Sequence, residues 1–175
     1  MMSRKQQAKG FTLIELVVVI AILAILAAFA LPRFAQLSEQ AHNSSVQGTS
    51  GALSAGVALA KAQWVGNGAS TASADRTDLS GFGDETIEVS EEGWPVATGG
   101  YTGESDGTVS MTADRCVQVW QALLQSNAPT VSTGTGEDYT ASASGSECNY
   151  TYTLDGEGNT IEYDASNGDI TTTIN

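Results

Sequence analysis

The stretch KGFTLIELVVVIAILAILAAFALPRF, residues 9–34, decides how this 175-residue chain is organised. From Phe11 to Leu31 its only polar residues are Thr12 and Glu15, and these 21 residues are enough for one helix to cross a membrane. Basic residues precede the apolar run, which predicts a cytoplasmic start with the rest of the chain outside. The sequence therefore predicts a membrane anchor followed by an external domain.

The order of features differs from that of a secretory signal peptide, in which the cleavage site follows the apolar stretch. Here Gly10, a small residue suited to cleavage, comes before that stretch. Cutting after Gly10 would remove a polar leader, residues 1–10, and leave the apolar segment on a mature chain that begins at Phe11. We therefore expect the mature chain to stay anchored in a membrane.

Glu15 is costly inside a spanning helix, by about 2.5 to 3.5 kcal/mol, so a partner for its carboxylate is expected. The amine that cleavage would create at Phe11 lies four residues away. It could pair with Glu15 within one chain or between neighbouring chains. An inert, protonated side chain near the membrane surface is the alternative.

Together these residues resemble the signature of type IV pilins and type II secretion pseudopilins: glycine before the cut, phenylalanine after it, and glutamate as the fifth mature residue. The resemblance implies that a prepilin peptidase cuts after Gly10 and that Phe11 becomes N-methylated. It also implies that Glu15 registers each subunit against the Phe11 amine of its neighbour. Pro32 matches the position where helices of this family bend, and we expect a kink there.

Beyond Pro32, apolar residues recur at helical spacing. They are Leu53, Val57, Ala60 and Trp64. We expect one long helix, with residues 11–31 as its membrane and assembly half and residues 32–65 packing on the head. At 1.5 Å per residue it would be roughly 80 Å long, too long for one small head to bury, so part of it should project.

The middle of this helix, SSVQGTSGALSAG at residues 44–56, is rich in small residues. Such residues favour helix poorly but let other backbones come close. Helix packing, within the head or between subunits, and a flexible hinge are both open interpretations. His42, the one histidine in the sequence, is expected to be solvated.

The head, residues 66–175, begins with a region rich in glycine, serine and acidic residues. Residues 66–110 predict a surface connection with one or two short strands, the best at ETIEV, residues 85–89. TADRCVQVWQALLQ, residues 112–125, predicts an amphipathic helix capped by Thr112. The predicted apolar face of this helix consists of Val117, Trp120, Leu123 and Leu124.

The C-terminal part shows the clearest strand pattern. CNYTYTL at 148–154, NTIEY at 159–163 and DITTTI at 169–174 are separated by turn sequences, which predicts a three-stranded antiparallel meander facing the long helix. Cys116 and Cys148, the two cysteines of the sequence, are interpreted as a structural disulfide formed in an oxidising compartment. Two buried free thiols are the alternative.

This order of elements is similar to that of type IVa pilins. The resemblance implies an α+β fold in which a long N-terminal helix packs on a small antiparallel β-sheet head with one disulfide and a cysteine-bounded C-terminal loop. RCVQVWQALLQ at 115–125 and GALSAG at 51–56 look most like the mannose-sensitive haemagglutinin (MSHA) pilins within that class.

Charge and motif content exclude several functions. The net charge is −13, and removing Arg4, Lys5 and Lys9 with the leader leaves −16, which disfavours nucleic-acid binding. One histidine, no GxxxxGK loop and no zinc-ligand spacing argue against an enzyme and against a bound cofactor. Three residues that alternate in one loop are weak calcium candidates, and a solvated acidic turn is the alternative; they are Asp155, Glu157 and Asn159.

We therefore expect the major structural subunit of an extracellular, MSHA-like type IV pilus that mediates surface attachment. Its partners would be copies of itself, a prepilin peptidase, the pilus assembly machinery, and a surface or glycan receptor that the sequence does not identify. It would wait in the inner membrane of a Gram-negative bacterium before assembly. The alternatives are a major pseudopilin of a type II secretion system and a minor pilin.

Overall fold

The computed structural model describes residues 10–99 and 109–175. The predicted leader therefore lies outside the described residues except for Gly10. The first helix, α1 (Leu13–Gly66), is continuous, which confirms the predicted helix to about residue 65. The chain divides into two compact units between Gln40 and Ala41. The functional division at residues 31 and 65 stays a prediction.

The first unit contains the N-terminal part of α1, whose large apolar side chains are exposed. Phe11, Ile14 and Phe29 are 71% to 88% exposed. By length and composition, α1 is one helix that could cross a membrane. The helical backbone continues through Pro32, and a kink at this residue stays a prediction.

In the second unit, α1 packs on the head through one of its faces. Val46, Leu53 and Val57 are buried in the main core together with residues of the sheet. At Gly56, an added Cβ would lie 3.0 Å from both Cβ and the carbonyl oxygen of Leu123, a tight contact that would require Leu123 to shift, so glycine favours this close approach. On this face the small residues serve helix packing within the head.

Within the described residues, the main sheet has five strands, which lie side by side in their order along the chain. β5 (Glu147–Tyr152), β6 (Thr160–Asp164) and β7 (Ile170–Thr173) are antiparallel neighbours, which confirms the predicted meander. The predicted number of three strands is nevertheless too low, because the sheet contains two more. β4 (Tyr139–Ser144) pairs antiparallel with β5, and β3 (Val131–Ser132) pairs parallel with β4.

A second, two-stranded antiparallel sheet is formed by β1 (Ile87–Val89) and β2 (Pro95–Thr98), and a short helix, α2 (Ser73–Arg76), precedes it. The strand expected at residues 85–89 is confirmed. The expectation of a surface connection is wrong for both strands, because almost all of their residues are buried. The apolar runs of β1 and β2 are short and lie among glycines and serines, so the sequence pattern does not mark them as core. The strands are buried because they pack against α1 and against the helix that follows β2 in the chain.

The predicted amphipathic helix is α3 (Ala113–Leu123). Its cap is confirmed, since the Thr112 hydroxyl accepts a hydrogen bond of 3.3 Å from the Arg115 amide. The predicted apolar face is partly wrong. Cys116 and Val119 are fully buried with Trp120, whereas the predicted Val117, Leu123 and Leu124 are only partly buried at the edge of the core.

Trp120 is the centre of an aromatic cluster between α3 and the sheet. Its ring lies 4.8 Å from that of Tyr139 and 4.7 Å from that of Tyr150, centroid to centroid. Its indole N–H donates to the Pro129 carbonyl at 2.9 Å. The Tyr150 hydroxyl donates to the Cys116 carbonyl at 2.8 Å. These contacts fix α3 on the sheet, and the observed architecture is the predicted α+β fold.

Alkaline pH should destabilise the head because its tyrosines are buried as neutral groups. Burial raises the pKa of Tyr139 to about 12 and raises those of Tyr150 and Tyr163 above their usual range. Unfolded tyrosines ionise near pH 10, so stability should be complete below that pH and fall above it. The expected slope is about 1.4 kcal/mol per pH unit per buried tyrosine.

Thermal melting of the full chain in detergent, from pH 8 to pH 12, measures this effect. Tyr139→Phe removes one of the ionising groups and should make the alkaline decline shallower. A melting temperature that stays constant to pH 12 would contradict the prediction.

Candidate assembly site

The predicted cleavage bond lies just before the first turn of α1. Residues 10 to 12 have no regular secondary structure, and both Gly10 and Phe11 are exposed. Among the described residues, a Cβ added at Gly10 would meet no atom within 4 Å, so these residues leave the surroundings of the bond open. This geometry suits a peptidase substrate, while cleavage and N-methylation of Phe11 stay predictions.

Thr12 and Glu15 form a capping box at the start of α1. The Glu15 Oε2 atom accepts from the Thr12 amide and from the Thr12 hydroxyl, each at 2.8 Å. In return, the Thr12 hydroxyl accepts from the Glu15 amide at 3.3 Å. This reciprocal pattern satisfies backbone donors that a helix start leaves unpaired.

The role of Thr12 is one that the sequence reasoning missed, although the signal was present. A threonine followed three residues later by glutamate, directly before an apolar run, is the pattern of a capping box. The nitrogen of Phe11 is still an amide bonded to Gly10 in this chain. Pairing between Glu15 and a free Phe11 amine therefore stays a prediction.

The surface around Glu15 is apolar. A shallow depression of about 360 Å³ is lined by Glu15 together with Phe11, Ile14, Val18 and Val19. These side chains suit lipid or protein neighbours better than water. A carboxylate in this setting gains most from a cation brought to the same place.

The predicted disulfide is confirmed. Cys116 on α3 is bonded to Cys148 on β5, with their Cα atoms 5.5 Å apart. The bond joins residues separated by 32 positions. It links α3 to β5, the central strand of the main sheet. Because both cysteines are buried in the core, we interpret the disulfide as a bond that stabilises the head.

The three weak calcium candidates are engaged in hydrogen bonds that shape a turn. The two carboxylate oxygens of Asp155 accept from the Glu157 amide at 3.0 Å and from the Asn159 side chain at 2.9 Å. The fully buried Asn159 accepts from the amide of Asn175 at 2.8 Å. Within residues 10–99 and 109–175, no group of three or more His, Cys, Asp or Glu side chains could hold a metal ion.

The expectation that His42 is solvated is wrong. Its ring is half-buried, and its Nδ1 atom lies 2.8 Å from the Tyr152 hydroxyl. The two rings also pack at a centroid distance of 5.7 Å. Sequence alone could not show this contact, because the residues lie 110 positions apart.

Comparison with known proteins agrees with this arrangement. Residues 5–31 match the prokaryotic N-terminal methylation motif. The chain is 34% identical over 115 residues to the type IV narrow pilus major component PilA5 of Thermus thermophilus, an alignment that covers 59% of this chain and 99% of that protein. No solved structure matches the chain.

Proposed function

This chain belongs to the type IV pilins, structural subunits rather than enzymes, and from that premise we propose that it is the major subunit of an extracellular type IV pilus. One observation carries the proposal. An exposed, membrane-length apolar segment starts directly after a candidate cleavage bond and carries a single carboxylate, Glu15. The role printed in the name of the Thermus protein, a pilus major component, supports a major rather than a minor subunit.

The capping box suggests how the subunit waits and then assembles. In the membrane, Thr12 supplies two hydrogen bonds to the Glu15 carboxylate and reduces the cost of its burial. Cleavage after Gly10 would free a Phe11 amine, which keeps its positive charge when methylated. We propose that this amine reaches Glu15 of a neighbouring subunit, since a positively charged donor adds a direct attraction between opposite charges that the uncharged Thr12 donors cannot supply.

The proposed life history has two stages. The precursor is a single-pass inner-membrane protein of a Gram-negative bacterium, cut by a prepilin peptidase. The assembly machinery then adds the mature chain to a homopolymer in which residues 11–31 exchange lipid for protein contacts. The disulfide supports an extracellular destination, because such bonds persist in oxidising compartments.

We also propose that the pilus serves surface attachment in the manner of MSHA pili. The support is the likeness of residues 51–56 and 115–125 to that class, together with an acidic head suited to water. The disulfide favours this assignment over a major pseudopilin, because pseudopilins typically lack the pair.

Electron microscopy and mass measurement together test the proposed function. Deleting the chain should remove long surface filaments, and filaments sheared from normal cells should contain a subunit that begins at methylated Phe11. The apolar segment cannot pack among its copies while a charged leader precedes it, which is why the leader should be absent. Unchanged filaments together with failed protein secretion would favour a pseudopilin, and an intact Met1 in the filament would refute the processing.

A further inference from the structure

The head carries a groove that the Glu15 assembly site does not use. It lies between the exposed face of α1 and the segment that follows α3, and it has a volume of about 680 Å³. Gly48, Ala52, Ala55 and Leu59 of α1 form one side, and the segment ending at Pro129 forms the other.

Among residues 10–99 and 109–175, no side chain fills this groove. A Cβ added at Gly48 would meet no atom within 4 Å, and Leu59 is 63% exposed. The opposite edge differs, because Gly56 is already pressed against Leu123. Apart from Leu59, the α1 side of the groove therefore presents backbone and small side chains, a surface on which another helix can approach closely.

The groove is also neutral in a strongly acidic protein. The thirteen described residues that line it include no charged side chain, although the sequence without its first ten residues carries a net charge of −16. Two copies of such a chain repel each other over most of their surfaces. A neutral, partly apolar groove is a place where two copies can meet without that repulsion.

Each copy also carries an exposed apolar ridge on α1. Phe34 and Leu37 are 67% and 59% exposed, and their spacing of three residues places them on one face of α1. Both follow the apolar run that ends at Leu31, so spanning a membrane does not explain them. Large apolar side chains outside a membrane segment indicate a protein contact.

Charge is complementary beside the two surfaces. Arg33, one of four basic residues that remain after the leader, adjoins Phe34 in the sequence. A second depression shares Leu124 and Pro129 with the groove and is bordered by the exposed carboxylate of Glu137. A positive residue therefore flanks the ridge and a negative one lies near the groove.

We propose that the groove between α1 and the segment after α3 receives the Phe34 and Leu37 ridge of a second copy of this chain. The proposal rests on the proposed pilus function and specifies a contact made within the filament. Ridge and groove are different surfaces, so the contact is heterologous, and a heterologous contact that does not close into a ring produces an open helical polymer. The α1 residues that line the groove, from Ser45 to Leu59, belong to the same helix as the assembly segment.

Cysteine crosslinking in filaments tests the contact directly. The two native cysteines are bonded to each other, so an introduced pair supplies the free thiols. Filaments of the double variant Phe34→Cys, Ala52→Cys should give a ladder of covalent oligomers after mild oxidation. The matched control, Phe34→Cys with Ala58→Cys, should not, because Ala58 is exposed on α1 but does not line the groove.

A charge placed in the groove gives a second, independent readout. Ala52→Glu should reduce filament yield on the order of tenfold or more, because it puts a larger, charged side chain into a contact whose groove is lined by small and uncharged residues. Ala58→Glu should polymerise normally. Equal amounts of both variants in the membrane, each with its disulfide formed, show that they fold.

The outcomes separate this contact from pilus function itself. Filaments that contain the chain but give no ladder, or equal polymerisation of Ala52→Glu and Ala58→Glu, overturn the contact and leave the pilin assignment standing. A crosslink from position 52 to a different protein also overturns it. Filaments that lack the chain overturn the proposed function.

Discussion

Glu15→Val should yield a chain that is cleaved after Gly10 and retained in the membrane but almost absent from filaments. The apolar run becomes more compatible with lipid, since a cost of about 2.5 to 3.5 kcal/mol is removed. The same change removes the acceptor for the Phe11 amine of a neighbour. Assembly should therefore fall even though membrane insertion improves, an effect opposite to that of general destabilisation.

Two matched variants separate the charge of Glu15 from its capping role. Glutamine also serves in a capping box, so Glu15→Gln keeps the helix start and loses only the charge. Thr12→Ala keeps the charge and loses the two side-chain hydrogen bonds between Thr12 and Glu15. We expect Glu15→Gln to assemble as poorly as Glu15→Val, and Thr12→Ala to retain substantial assembly.

Immunoblots of sheared filaments and of membranes measure how much of the chain is assembled and how much stays in the membrane. Cleavage is followed by the mass of the membrane-bound chain. Normal piliation by Glu15→Val would remove the registering role. Normal piliation by Glu15→Gln alone would assign that role to hydrogen bonding rather than charge.

Loss of the disulfide should have the largest effect on the stability of the head. Replacing Cys116 and Cys148 together by serine releases a loop between residues separated by 32 positions. In the chain-entropy model this costs about 3 to 4 kcal/mol. For a head of this size the melting temperature should fall on the order of 10 °C.

Differential scanning calorimetry of the full chain in detergent, with and without reductant, measures this loss. Reductant should lower the melting temperature of the natural chain to that of the double serine variant and leave the variant unchanged. The double replacement avoids an unpaired thiol that could join two chains. Equal melting temperatures of the natural and variant chains would contradict the prediction.

The features that could be read from sequence depend on neighbouring residues. The assembly segment is recognisable because Gly10, Phe11 and Glu15 lie within six positions and are followed by a membrane-length apolar run. The start of α3 is recognisable from Thr112, whose side chain caps the first turn of that helix. The last three strands alternate and are separated by turn residues, so their pairing follows from hairpin geometry.

Other features depend on residues that are distant in sequence. The sequence does not reveal β4 because its two buried positions are Tyr139 and the small residue Ala141, which together give a weak apolar pattern. Its assignment comes from pairing with β5. The true buried face of α3 is likewise set by the sheet, which selects Cys116 and Val119 over Val117.

By itself, the sequence determined the long helix, its apolar segment with Glu15, and the C-terminal meander, because capping, periodicity and turn chemistry act over a few residues. Only the tertiary structure decided that the hairpin of β1 and β2 is core, that His42 contacts Tyr152, and that the described residues leave a neutral groove beside α1. A side chain is buried by contact with residues from other segments, so whether a surface is core or exposed is decided only when the whole head has packed.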